Sequence, residues 1–199
     1  MKQRSYHHGN LKIELIKAGI KLMNEGGEEN LSLRKAAEMC NVSHAAPKSH
    51  FTNKEAFVEA IKQYVTLEFT KAMEDVVEMS QGRDSLIRDF GLAYIKYFME
   101  HPDIYHFVIS QKGIEIRASK EHIYDSSYPP FQIFQVNASK ALLKKGVPQQ
   151  AIPQNILALW AIVNGLAGIY AMTGFHYDGD WSEMAESILS GGLEKKKCD

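Results

Sequence analysis

Between residues 32 and 54 the sequence gathers groups that bind anions and read hydrogen-bonding edges: Ser32, Arg34, Ser43, His44, Lys48, His50 and Lys54. Cations neutralise phosphates and release their counterions, while short hydroxyl and imidazole side chains can approach base edges. The chemistry implied is recognition of nucleic acid, not bond making. The sequence has no G-x-S-x-G elbow, no Walker A loop, no H-E-x-x-H pair and no phosphate-cradling glycine loop. His101, His106 and His122 share a short region, but their spacings do not match a helical metal pair, so no metal and no cofactor is expected.

A second concentration of side-chain chemistry runs from Phe90 to Phe134, which holds ten of the twenty Phe, Tyr and Trp residues. Core packing explains at least half of them. Five are tyrosines, whose hydroxyls need partners if buried. Tyr94, Phe98, Tyr105, Tyr128 and Phe131, with Trp160 and Asn164 further on, suit a pocket for a partly apolar small molecule.

The elements that must position these groups read as helices almost throughout; β-type alternation is hard to find. Asn10 can cap a first helix with an apolar stripe through Leu11, Leu15, Ile16, Gly19, Ile20, Leu22 and Met23, which Gly26-Gly27 stops. Ser32 caps a short helix over Leu33 to Cys40, and Asn41 supplies a residue tolerant of the left-handed turn conformation. Ser43 is expected to cap a third short helix, about 43–50, that carries His44 and Ala45 at its start and Pro47 in its first turn. Thr52 to Glu55 has capping-box spacing and opens a long helix to about Ser80. Further helical patterns cover about 84–100, 102–112, 127–146, 152–175 and 181–191. The expected fold is all-α: a three-helix helix-turn-helix head over 1–53, then a helical bundle over 54–199.

Net charge supports that division. The 199 residues carry 23 Lys and Arg against 24 Asp and Glu, a formal charge of −1. Residues 1–54 alone hold nine basic and five acidic residues, and residues 55–199 hold fourteen and nineteen, so a basic head precedes an acidic body. Lys2, Arg4, His7 and His8 can form an arm over phosphate or the minor groove; a disordered tail is the equal alternative. Cys40 and Cys198 lie far apart with no C-x-x-C pattern, which fits a reducing, cytoplasmic setting. Ile156 to Phe175 is long enough to span a bilayer, but Asn164 sits mid-segment and no Lys or Arg flanks it closely. A helix buried in protein on most sides is expected there, with no membrane.

The stretch from Leu31 to Ile61 resembles the DNA-binding domain of the TetR (tetracycline repressor) family of bacterial transcriptional regulators. Val42-Ser43, His50-Phe51 and Lys54-Glu55 keep the spacing of the family's V-S-x-x-x-x-Y-x-H-F-x-x-K-E pattern. Lys48 stands where the family typically has a phosphate-contacting tyrosine; lysine can neutralise phosphate but cannot stack. Asn41 replaces the usual turn glycine. Trp160 to Gly165 is similar to a Trp-x-x-x-His-Gly pattern of one subgroup, with Asn164 in place of histidine.

The resemblance implies a dimeric repressor that places one recognition helix per subunit in successive major grooves of a palindromic double-stranded operator. Ser32, Arg34, Ser43, His44, Ala45, Lys48, His50 and Lys54 are then the expected DNA contacts, with helix capping as the plainer role of the two serines. The resemblance also implies a small-molecule effector cavity among the middle helices. It places a four-helix homodimer interface on Ala161, Gly165 and Gly168 with Met184 and Ile188. Ordinary intrachain packing is the competing account of those five. The alternative for the whole chain is an all-helical small-molecule-binding protein or enzyme with a vestigial DNA-binding motif.

Overall fold

The computed structural model describes residues 11–80, 83–102, 104–105, 108, 116–119, 123, 128–172 and 174–191. Asn10, the N-terminal arm, His106, Phe107, His122, Tyr124 and Cys198 lie outside the described residues. Among the described residues every regular element is helical, and the only β-type contact is an isolated bridge between Ala118 and Ile123. In chain order the α-helices are α1 (Leu11–Asn30), α2 (Leu33–Met39), α3 (Lys54–Met79), α4 (Leu86–Glu100), α5 (Pro129–Lys144), α6 (Ile152–Ala171) and α7 (Trp181–Leu189), with a short 3-10 turn at Ala46–Ser49. The chain clusters into two compact units, and the division falls inside α3, between Val65 and Thr66.

In the first unit, α1 buries Leu11, Leu15, Ile16, Ile20 and Leu22 along one face, as its apolar spacing dictates. The helical geometry fails at Gly26-Gly27. Gly27 takes φ +70 and ψ −173, a conformation open to glycine and costly for other residues. The Asn30 side-chain amide donates to the Leu22 carbonyl at 2.9 Å, satisfying an acceptor left open near that break. α1 packs on α2, which packs on the 3-10 turn.

α3 opens differently from the expected capping box. The cap is Asn53, whose Oδ1 accepts from the Ala56 amide at 2.8 Å. Asn53 stands three residues before that amide, at the usual side-chain cap spacing, and this moves the helix start one residue beyond what Thr52 would give. From there α3 buries Phe57, Ile61, Val65, Phe69, Met73 and Val76, a stripe spaced at four or three residues throughout.

In the second unit α4 packs against α5, α6 and α7. Ile95, Leu166 and Ala185 form a buried nucleus, with Met99, Ile162, Trp181, Ile188 and Leu189 packed around it. Where α3 gives way to α4, the buried Ser80 hydroxyl and the Ser85 hydroxyl both donate to Asp89 Oδ2 at 2.8 Å. Burial would raise the Asp89 carboxyl, but those two bonds and the Arg88 guanidinium outweigh it and hold it below the usual carboxylate range.

α6 corrects one expectation. The segment Gln149–Ala171 is long and apolar enough to cross a membrane by length and composition, yet only 33% of its most apolar 18 residues is buried. Ile152, Ile156, Val163, Leu166 and Ala167 face the chain's own core, whereas Ala161, Ile169 and Tyr170 are exposed and Ala158 and Gly165 lie with them on the less buried side. The described residues supply neighbours for one face of this helix only.

Candidate nucleic-acid interface and effector site

The candidate interface lies wholly in the first unit. α2 ends in a turn closed by two backbone bonds, Val42 N–H to the Ala37 carbonyl and Asn41 N–H to the Glu38 carbonyl, each 3.0 Å. This pattern requires a left-handed residue after the helix, and Asn41 supplies it at φ +54. The turn therefore works with asparagine where glycine is usual.

The next segment is shorter than the expected 43–50 helix. Residues Ala46–Ser49 form one 3-10 turn, begun by Ala46 N–H donating to the Ser43 carbonyl at 2.9 Å. Pro47 explains the difference. It has no amide to donate and disfavours helical geometry at the residue before it. Its ring is fully buried and anchors the segment from beneath. Ser43, His44, Ala45 and Lys48 are left exposed at the surface. Phe51 is buried against Phe57 with ring centres 4.7 Å apart, and His50 is half-buried with its ring 6.2 Å from Phe51. Ser32 occupies the cap position of α2 in extended geometry, yet its side chain makes no cap bond. Its hydroxyl is not committed to capping, contrary to the plain structural role expected of it. Lys54, the first residue of α3, is half-buried.

Sequence reasoning missed Glu38. Its Oε1 lies 3.1 Å from Arg34 Nε and 3.1 Å from His44 Nε2, so one carboxylate oxygen joins two of the expected DNA contacts. Arg34 and Glu38 are four residues apart on α2, a spacing that does signal the pair. The link to His44 exists only because the turn brings the segment back beside α2.

The second unit assembles most of the expected effector residues. The Tyr94 hydroxyl donates to Asn164 Oδ1 at 2.8 Å, and Asn164 Nδ2 donates to the Trp160 carbonyl one turn earlier at 2.8 Å. The Tyr105 hydroxyl donates to the Asn164 carbonyl at 3.1 Å. Phe98 sits against both tyrosine rings, at 4.9 Å from Tyr94 and 5.2 Å from Tyr105. Phe131 meets Trp160 edge-on at 5.1 Å. Phe69 of α3, which sequence reasoning passed over, packs on Tyr94, Tyr97 and Phe98. Its position on the α3 stripe was the available signal. Burial pushes the phenols of Tyr94, Tyr105 and Tyr128 upward, and the neighbouring Tyr128 and Tyr105 push Tyr94 further. All three stay protonated, and Tyr94 and Tyr105 act as neutral donors.

The five residues expected at a dimer interface divide. Ala161 and Gly165 are exposed on the outer face of α6, and a Cβ at Gly165 would meet nothing within 4 Å among the described residues. Gly168 is occupied within the chain: a Cβ there would stand 2.6 Å from the Tyr105 hydroxyl, so its missing side chain admits that ring. Ile188 packs on the nucleus around Ile95, and Met184 is half-buried.

A sequence profile described as tetracyclin repressor-like, C-terminal domain, matches residues 87–191, more than half of the chain. No curated protein sequence matches. Among solved structures the chain is similar to a protein of unknown function from a Rhodococcus species, at 21% identity over 94% of this chain and 96% of that one, TM-score 0.65. It is also similar to the TetR family transcriptional regulator PfmR from Thermus thermophilus, at 18% identity over 88% and 94%, TM-score 0.60. The transcriptional regulator FadR from Bacillus subtilis, solved in complex with stearoyl-CoA, matches at 11% identity over 89% and 95%, TM-score 0.64. At these identities the likeness establishes a shared fold.

The Tyr94–Asn164 bond sets a test. Tyr94→Phe removes the donor from a buried acceptor and is expected to cost about 1–3 kcal/mol in urea denaturation. Adding Asn164→Leu removes the orphaned acceptor, so the double variant should lose less than the sum of the two single losses. Strictly additive losses would contradict a direct bond.

Proposed function

Because the chain belongs to the tetracycline repressor-like (TetR) family, we propose that it is a ligand-responsive transcriptional regulator, a homodimeric repressor released from a palindromic operator by a small molecule. The observation that carries the DNA reading is the exposed set Arg34, His44 and Lys48, presented by a turn whose geometry is fixed by Asn41 and Pro47. Lys48 takes a phosphate, and His44 and Ala45 enter the major groove. Ser32, Ser43, His50 and Lys54 add contacts to the backbone. The 3-10 turn makes this a short reading head, so two heads acting together supply useful affinity.

The effector is read as a neutral or weakly polar, partly apolar molecule. Tyr94, Phe98, Tyr105, Tyr128, Phe131, Trp160 and Asn164 offer aromatic faces and neutral hydrogen-bonding groups, and none is ionic. FadR holds stearoyl-CoA in its complex; for this chain the same fold supports an apolar effector without specifying it. Entry of the ligand among Phe69, Tyr94 and Phe98 would act on α3, which also supplies Phe57 and Ile61 to the core of the head. The outer α6 face bearing Ala158, Ala161 and Gly165 supports pairing with a second copy, since small residues let helix backbones approach closely.

Two measurements check this reading. Gel-shift titration with duplex DNA from around the chain's own gene, at two salt concentrations, should show sequence-preferred binding. Lys48→Ala should weaken preferred and random DNA alike and flatten the dependence of log K on log salt by about 0.9, the value for one phosphate. Binding without sequence preference in the parent chain would contradict the regulator reading. Gly165→Glu places a charge where an added Cβ meets nothing within 4 Å among the described residues, so the fold should survive while sedimentation shifts from dimer to monomer. An unaltered dimer would move the interface elsewhere.

A further inference from the structure

We propose that Glu38 is a positioning and selectivity residue of the DNA interface, suppressing binding to random DNA while holding His44 and Arg34 in their reading geometry. This rests on the DNA-binding function proposed above. The supporting geometry is one oxygen shared by two donors: Glu38 Oε1 is 3.1 Å from Arg34 Nε and 3.1 Å from His44 Nε2. Arg34 extends along α2 from a position one turn earlier, and His44 arrives from beyond the Asn41 turn, so the carboxylate ties the two halves of the motif together. All three side chains are at least half exposed, at 73%, 53% and 51% for Arg34, His44 and Glu38. Lys48, by contrast, has no carboxylate partner among the described residues.

Elementary electrostatics gives this arrangement two consequences. First, Glu38 puts a negative charge among the groups that must meet phosphates. A phosphate approaching Arg34 competes with a carboxylate already in place, and the carboxylate itself repels the duplex. Random DNA is held almost wholly by charge, so it bears this cost in full. Second, the same contacts restrict the rotamers of a long Arg and of the histidine ring before DNA arrives. That preorganisation is useful only in the one register where the side chains meet their targets. In the neutral ring, Nε2 donating to Glu38 leaves Nδ1 as an acceptor. Such a ring suits the amino group of adenine or cytosine and not the O6 and N7 acceptors of guanine. Glu38 thus subtracts from all DNA binding and returns part of that loss only on the correct site.

The test compares the full-length chain with its Glu38→Gln variant on the preferred DNA found by gel shift and on a random duplex of equal length, across a salt series. Glu38→Gln should bind random DNA about 3–10-fold tighter and steepen its salt slope by about 0.9, as Arg34 becomes free for one more phosphate. The ratio of preferred to random affinity should fall by a similar factor. In an Arg34→Ala/His44→Ala background, the change at Glu38 should gain less. Unchanged or weaker random binding in Glu38→Gln overturns the proposal, as does an undiminished gain in that background. Glu38→Ala, checked for helicity by far-UV circular dichroism, provides the same reading if the amide finds a substitute bond. If the parent chain shows no preferred DNA, the regulator reading itself fails and this proposal with it; a parent that discriminates beside a Glu38→Gln that matches it overturns the proposal alone.

Discussion

The rest of the molecule depends on the unbroken apolar stripe of α3. Phe57, Ile61, Val65, Phe69, Met73 and Val76 are all buried, and no glycine or proline interrupts the 26 residues that carry them. Each fully buried side chain of this size stabilises by roughly 1.5–3 kcal/mol relative to exposure, so each half of the helix is held firmly by the core it enters. The division between the compact units falls within this stripe, after Val65. Phe57 belongs to the core beneath Phe51, and Phe69 to the cluster of Tyr94, Tyr97 and Phe98. One continuous helix is therefore a member of both cores. That shared membership gives the proposed regulation a physical route, because a ligand can shift DNA affinity only through an element whose energy both sites influence.

The two sites solve opposite electrostatic problems. At the head, charged groups stay in water, where an exposed pair such as Arg34–Glu38 is worth about 1 kcal/mol at most and can be exchanged for a phosphate. Among the aromatic residues of the body the polar groups are neutral, and burial moves the phenols further from ionisation. Tyr94, Tyr105 and Tyr128 remain neutral, and Asn164 meets Tyr94 with its side-chain oxygen and Tyr105 with its carbonyl. The proposed effector, entering there, would replace those bonds as well as fill space, and so would need hydrogen-bonding groups along with apolar surface.

Much of this was legible in the sequence, for physical reasons that can be named. The α1 stripe, the break at Gly26-Gly27, the left-handed Asn41 and the helical patterns at 84–100, 127–146 and 181–191 depend on local spacing or a residue's own conformational limits, which a sequence displays directly. Pairing of Tyr94 with Asn164 rests on contacts seventy residues apart; chemistry could nominate both residues but not their bond. Errors arose where two local signals competed. Thr52 and Asn53 both qualify as caps, and backbone geometry chose Asn53. Pro47 was compatible with the first turn of an α-helix, but its effect on Ala46 left a 3-10 turn instead. The outer face of α6 was nominated only through the family resemblance, because an apolar sequence declares that a helix wants cover without saying whether its own chain provides it.

In the proposed regulation, DNA recognition at the head and packing around Phe69 and Tyr94 are coupled through α3. Hydrogen exchange measured residue by residue, on the full chain with and without its preferred duplex, tests it without knowledge of the effector. Coupling is reciprocal, so DNA binding must alter the opening free energy of amides beyond the head. Changed exchange is expected in α3 from Thr66 to Met79 and in α4 around Tyr94 and Phe98, in addition to protection near Arg34 and Lys48. Changes confined to residues before Val65, with the rest of α3 and α4 unaltered, would contradict it.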